Sequence, residues 1–179
     1  VHNIQVQSGR LSKLITNLVT LSRLDEEDPF PIRTPFSLSD ALWEIGEPFV
    51  SLAQAKGKRY TQDIADGLTA VGDRAAIQQT VSILLDNALK YSPDGGSISL
   101  SARRCGKRAE IAVSNTVDTA ARTDVTRLFD RFYRADESHS NAVSGTGIGL
   151  SIAKATVQAH GGRISVGQTD DTITFRVTL

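Results

Sequence analysis

Apolar positions recur at helical spacing along the first two dozen residues. Ile4, Leu11 and Leu18 stand seven apart, and Leu14 and Leu21 continue a second seam of the same heptad. Such a stripe predicts one helix that needs an apolar partner. Gln7 interrupts the seam, and the run is short for a coiled coil on its own. The stripe suits a helix packed on its own domain, or a severed piece of a helical hairpin or bundle; the second reading is preferred.

Residues 25–35 carry four acids and three prolines. Proline blocks helix continuation and pushes its predecessor toward extended geometry, so this stretch reads as a linker and a domain boundary. Beyond it the periodicity alternates between 3.6 and 2. Ser37 or Ser39 can cap a helix running to about Lys56, with Leu42, Ile45 and Phe49 on one face. Short strands are expected at 60–64 and 68–71. Asp73 can cap a long helix to Tyr91, whose apolar face is Ile77, Val81, Leu84, Leu85 and Ala88. Residues 97–103 and 108–114 alternate like a hairpin turning at Cys105, Gly106 and Lys107. No sustained periodicity marks 116–146. A helix over about 147–159 closes at Gly161 and Gly162, and strands follow at 163–167 and 172–179. The sum is an α+β chain, a two-layer α/β sandwich with about three helices on one face of a mixed sheet, preceded by a separate helix.

Composition narrows the function classes. Twenty Lys+Arg balance twenty Asp+Glu, so no global basic field calls for nucleic acid or an anionic membrane. With 40% hydrophobic and 22% charged residues, the chain is globular rather than disordered. No apolar run approaches the roughly 20 residues that span a bilayer. One cysteine, Cys105, excludes an internal disulfide and fits a reducing compartment. Its neighbours Arg103, Arg104, Lys107 and Arg108 read as a charged hairpin end rather than as activators of a thiolate. The chain opens on Val and contains no Met, which reads as an excised piece of a longer protein.

Three stretches can carry chemistry. In residues 84–92, Asn87 falls roughly 100° from the centre of the apolar stripe and Lys90 lies on the same flank. An amide oxygen there can ligate a hard cation, and an ammonium can neutralise a phosphate. Gly145, Thr146, Gly147, Ile148, Gly149 and Leu150 precede a helix, where close backbone approach and unpaired amides favour an anion. Neither the dinucleotide fingerprint nor the Gly-Lys-Ser/Thr phosphate loop is present. Between them, residues 128–134 hold Phe129, Phe132 and Tyr133 with Arg131 and Arg134, and the guanidinium groups can meet phosphate oxygens.

Together, these stretches resemble the catalytic ATP-binding domain of sensor histidine kinases of two-component systems, with the Bergerat (GHKL) fold, over residues 36–179. Leu85-Asp86-Asn87-Ala88-Leu89-Lys90-Tyr91-Ser92 is similar to the N box, Leu128-Phe129-Asp130-Arg131-Phe132-Tyr133-Arg134-Ala135-Asp136 to the F box, and Gly145-Thr146-Gly147-Ile148-Gly149-Leu150 to the G2 box. Residues 1–26 resemble the second helix of the dimerisation and phosphotransfer hairpin, with 27–35 as the linker. The resemblance implies MgATP binding, with Asn87 reaching the magnesium and Lys90 and Tyr91 lining the nucleotide. It assigns the G2 amides of Gly145, Gly147 and Gly149 to the phosphates and residues between the boxes to an ATP lid. It further implies phosphoryl transfer to a hairpin histidine and then to a response-regulator aspartate, in a homodimer whose cytoplasmic part this is, behind a membrane anchor.

Two departures bear on that expectation. Where the family's G1 box has an acid that accepts a bond from the adenine amino group, this chain has Asn115, and Val117 and Thr119 replace two glycines. A neutral acceptor is weaker than a charged one by roughly 1 kcal/mol, so binding is expected to be weakened but retained. At Ile83, four residues before Asn87, gyrase-like relatives carry a water-activating Glu; isoleucine cannot act as a base, which disfavours futile ATP hydrolysis. His2, His139 and His160 all lack the context of a phosphoacceptor, and His160 reads as a helix cap. The alternative from another class is a degenerate, nucleotide-independent interaction module. An anti-sigma-type serine kinase of the same fold is disfavoured by the N-terminal helix and the Phe-Tyr-Arg sequence.

Overall fold

The structure, a computed structural model, describes residues 2–118, 124–133 and 147–179. Its elements in chain order are α1 (His2–Leu24), β1 (Thr34–Ser37), α2 (Leu38–Ala55), β2 (Arg59–Ile64), β3 (Thr69–Gly72), α3 (Arg74–Tyr91), β4 (Ser97–Cys105), β5 (Arg108–Thr116), a 3₁₀ turn at Val125–Arg127, α4 (Gly149–Ala159), β6 (Arg163–Gln168) and β7 (Thr172–Thr178). A five-stranded sheet runs in the order β2-β4-β5-β7-β6. The β2–β4 pair is parallel and the other pairs are antiparallel. Ile98, Leu100 and Ala102 of β4, Ile111 and Val113 of β5, and Phe175 and Val177 of β7 point to one face, where α2, α3 and α4 cover them. The opposite face carries the alternating polar residues, as expected of a sheet buried on one side.

Helix ends follow the sequence signals. The Ser37 side chain accepts the Asp40 N–H, which chooses Ser37 over Ser39 as the cap of α2. Ser39 is instead buried and ties the chain together, donating to Ala65 O at 2.7 Å and accepting the Leu68 N–H at 2.9 Å. Asp73 caps α3 through Ala76 N at 2.9 Å. Gly46 is where α2 comes close to β2: a Cβ there would lie 2.5 Å from Gln62 Nε2 and 2.7 Å from Tyr60 Oη.

One segment differs in kind from its sequence reading. Thr34 and Pro35, read as the end of a linker, open β1, which pairs antiparallel with β3 through Pro35↔Val71. Proline is tolerated because this ribbon has only two strands and its edges need no donor. Nor does the acidic stretch hang free. Phe30 is buried against the His160 ring, with centroids 4.6 Å apart, and Arg23 Nε donates to Pro29 O at 3.1 Å.

Candidate functional site

Helix α3 carries the first candidate group. Ile77, Val81, Leu84, Leu85 and Ala88 are buried, while Asn87 and Lys90 lie half-buried at the border of that face. The Lys90 ammonium rests 4.8 Å from the centroid of the Tyr91 ring, and Tyr91 itself is exposed. The carboxyl end of α3 is held from outside the helix. Lys58, just before β2, donates through Nζ to Leu89 O at 2.8 Å and also to Ser92 O. Burial pulls the Lys58 ammonium below its ordinary pKa, with Lys56 adding to the shift and Asp94 opposing it. Sequence reasoning passed over Lys58, because nothing local indicates a partner some thirty residues away.

The glycine turn meets α3 at close range. Gly147 has φ +67°, and a Cβ on it would strike the Phe132 backbone at 2.9 Å, so only glycine fits. Phe132, itself at φ 66°, donates its N–H to Gly147 O at 2.9 Å. A Cβ on Gly149 would come within 3.2 Å of Ile83 Cγ2, which puts the turn against α3 one helical turn before Asn87. Helix α4 then begins without a side-chain cap. Its N-cap residue is Ile148, fully buried, which makes no capping hydrogen bond. The first amides of α4 therefore keep their capacity to donate to an anion. Ile148 serves the turn through its backbone alone, since its side chain packs with Leu21, Ile152, Leu24 and Ile83. That cluster also gives Ile83 its role: it fills the junction of α1, α3 and α4. Leu150 is half-buried against the main core.

The other expected residues are placed as follows. Asn115 is buried in β5 between Ile98 and Ile173 of the flanking strands, and its Nδ2 donates to Thr116 O at 2.8 Å. Since that carbonyl accepts only, the amide is oriented with its oxygen left as the remaining acceptor. Val117 continues the ladder, donating to Asp171 O at 2.8 Å, and packs on the core. Phe129 lies edge-on to Phe175 with centroids 6.1 Å apart, under the Lys154 ammonium. Arg131 is engaged by the end of α1: its Nη2 donates to Asp25 Oδ1 at 2.9 Å. His160 caps α4 as expected, with Nδ1 2.8 Å from Thr156 O. Its Nε2 also accepts the Asp73 N–H at 3.0 Å, a contact the sequence does not signal. Thr119, Arg134, His139, Gly145 and Thr146 lie outside the described residues.

Comparison with known proteins identifies this arrangement. Residues 72–179 match the family described as histidine kinase-, DNA gyrase B- and HSP90-like ATPases. The chain belongs to that family. Among curated relatives, the sensor protein DltS of Streptococcus agalactiae is 35% identical over 173 residues, 97% of this chain and 44% of that protein. The signal transduction histidine-protein kinase BaeS of Escherichia coli is 32% identical, over 92% of this chain and 35% of its own length. The chain thus spans less than half the length of these curated relatives. The histidine kinase AdeS of Acinetobacter baumannii has the same fold, with TM-score 0.80 and 20% identity over 99% of this chain and 82% of that one. For this member of the family the expected α+β sandwich holds, with three helices against the sheet and α1 preceding them.

Proposed function

We propose that this chain binds MgATP as the kinase part of a two-component sensor. In the whole protein it would pass the γ-phosphoryl group to a hairpin histidine for relay to a response-regulator aspartate. The observation that carries this reading is the start of α4, which has no side-chain cap and where Gly149 lies against Ile83, one turn of α3 before Asn87. The residues suit the nucleotide. The α4 amides would receive the phosphates, the Asn87 oxygen would hold Mg²⁺, Lys90 would offset charge beside it, and the Asn115 oxygen would accept the adenine amino group. When bound, the metal would supply charge neutralisation at the transferring phosphoryl group, and the residues above would supply position. Ile83 offers no base for hydrolysis, which favours transfer over turnover with water. Two solved relatives of this fold support the reading, a ShkA structure in complex with AMPPNP and a ThkA structure in complex with the response regulator TrrA.

Residues 1–26 fit the second helix of a dimerisation hairpin, 27–35 its linker and 36–179 the catalytic domain. Homodimerisation and a membrane anchor would then belong to the whole protein; no described helix is long and apolar enough to cross a membrane. Calorimetric titration with a non-hydrolysable ATP analogue tests the proposal. Binding should require Mg²⁺, vanish in Asn87→Ala, and tighten a few-fold in Asn115→Asp, where a charged acceptor replaces a neutral one. Folded protein that binds no nucleotide at millimolar concentration would leave the nucleotide-independent module as the better reading.

A further inference from the structure

Arg131 and Asp25 are 106 residues apart in sequence, yet their side chains meet at 2.9 Å. Each partner is anchored beside the glycine turn. On one side, Phe132 follows Arg131 and bonds Gly147 O through its own N–H. On the other, Asp25 N donates to Leu21 O at the end of α1, and Leu21 and Leu24 pack on Ile148 and Ile152, immediately after the turn. The ion pair therefore bridges the two elements that flank Gly147, and it engages an arginine adjacent to the turn.

The contact is a single Nη2–Oδ1 bond, which leaves the other guanidinium N–H groups able to donate but fixes the direction in which the planar fork points. Arg131 is half-exposed and Asp25 more so, which makes the pair exchangeable rather than fixed. We infer that Asp25 is a positioning residue for nucleotide binding: it holds Arg131 away from the phosphate oxygens, so that the triphosphate must displace the Asp25 carboxylate to recruit this arginine. Docking of the α1 end and binding of the triphosphate then compete for one side chain. The inference rests on the reading that the amides after Gly147 receive phosphate.

The two halves of the ligand separate the effect. Titration of the protein with the magnesium complex of AMPPNP and, separately, with adenosine compares a ligand that has phosphates with one that has none. Asp25→Asn should raise AMPPNP affinity about two- to five-fold, the range open to an exposed ion pair, and leave adenosine unchanged. Arg131→Gln should lower AMPPNP affinity, and adding Asp25→Asn to it should bring no further gain. High salt should shrink the Asp25→Asn effect. Both sites are on the surface, so unchanged melting temperatures are expected and check that the variants fold. No gain in Asp25→Asn, an equal gain without Arg131, or a parallel change for adenosine would each overturn the inference while leaving nucleotide binding intact. Wild-type protein that binds adenosine but gains nothing from the phosphates would overturn the phosphate reading itself, and the inference with it.

Discussion

At the scale of single residues, the site combines side chains legible from local spacing with others whose role is set by contacts far along the chain. Asn87 and Lys90 were placed by helical periodicity, because a border position on α3 follows from where the apolar stripe lies. Asn115 followed from the family resemblance, whereas the bond that orients its amide comes from the backbone of β5. Tyr60 shows what single residues cost. Its hydroxyl and the Gln62 amide nitrogen are buried under α2 with no hydrogen-bond partner among the described residues. Burial holds the Tyr60 phenol neutral, raising its pKa above the ordinary value of 10.0. The raised pKa means the folded state keeps a proton that the unfolded chain loses. This group therefore gives stability no pH dependence well below pH 10.0 and makes it fall as the pH rises beyond that. Tyr60→Phe should flatten that alkaline loss and raise neutral-pH stability by about 1 kcal/mol, since it removes a buried hydroxyl without a partner. Urea unfolding across the alkaline range measures both effects; a Phe variant that is equally alkali-sensitive would assign the loss to another group.

At the scale of elements, helix ends decide where the chemistry lies. Helix α3 is capped by its own Asp73 at one end and by Lys58 from outside at the other, which fixes both the start and the site-bearing end of the helix. Helix α4 has the reverse arrangement, with no side-chain cap at its start and His160 closing its carboxyl end. The contrast follows from what each terminus must do: a satisfied helix end gives stability, and an unsatisfied one can bind an anion. Asp73→Ala should lower stability by about 1 kcal/mol, as loss of an N-cap does, and it should do so without changing the magnesium requirement of nucleotide binding. Thermal melts paired with the AMPPNP titration read out both quantities. Sequence patterns located these elements to within a residue or two at most ends, because capping and breaking residues act locally. They gave no hint of β1, because its four residues pair only with β3 and an edge ribbon needs no alternating core face.

At the scale of the molecule, α1 divides into two parts with different surroundings. Toward its carboxyl end, Leu21 is buried and Leu24 partly so against α4. Further back, Leu11, Ile15, Leu18 and Val19 are all about half-exposed or more. An apolar run of this kind leaves Leu11 and Leu18 of the heptad stripe exposed among the described residues, as a bundle completed by a second copy would require. The chain should therefore self-associate weakly. A Leu11→Glu/Leu18→Glu pair should make it monomeric in sedimentation equilibrium while its melting temperature holds. Self-association that survives both charges would place the contact elsewhere.

The amino-acid sequence by itself determined the order of the helices and of every strand but β1, the buried faces of α2 and α3, the capping residue Asp73, and the border position of Asn87. All of these depend on side-chain periodicity or on hydrogen bonds within three or four residues, which a linear pattern records. Tertiary structure alone decided that Arg131 meets Asp25, that Lys58 holds the end of α3, that Phe30 lies on His160, and that Ile83 closes the junction of three helices. These contacts join residues that only the packing of helices on the sheet brings together. No local pattern encodes which distant group will be the partner.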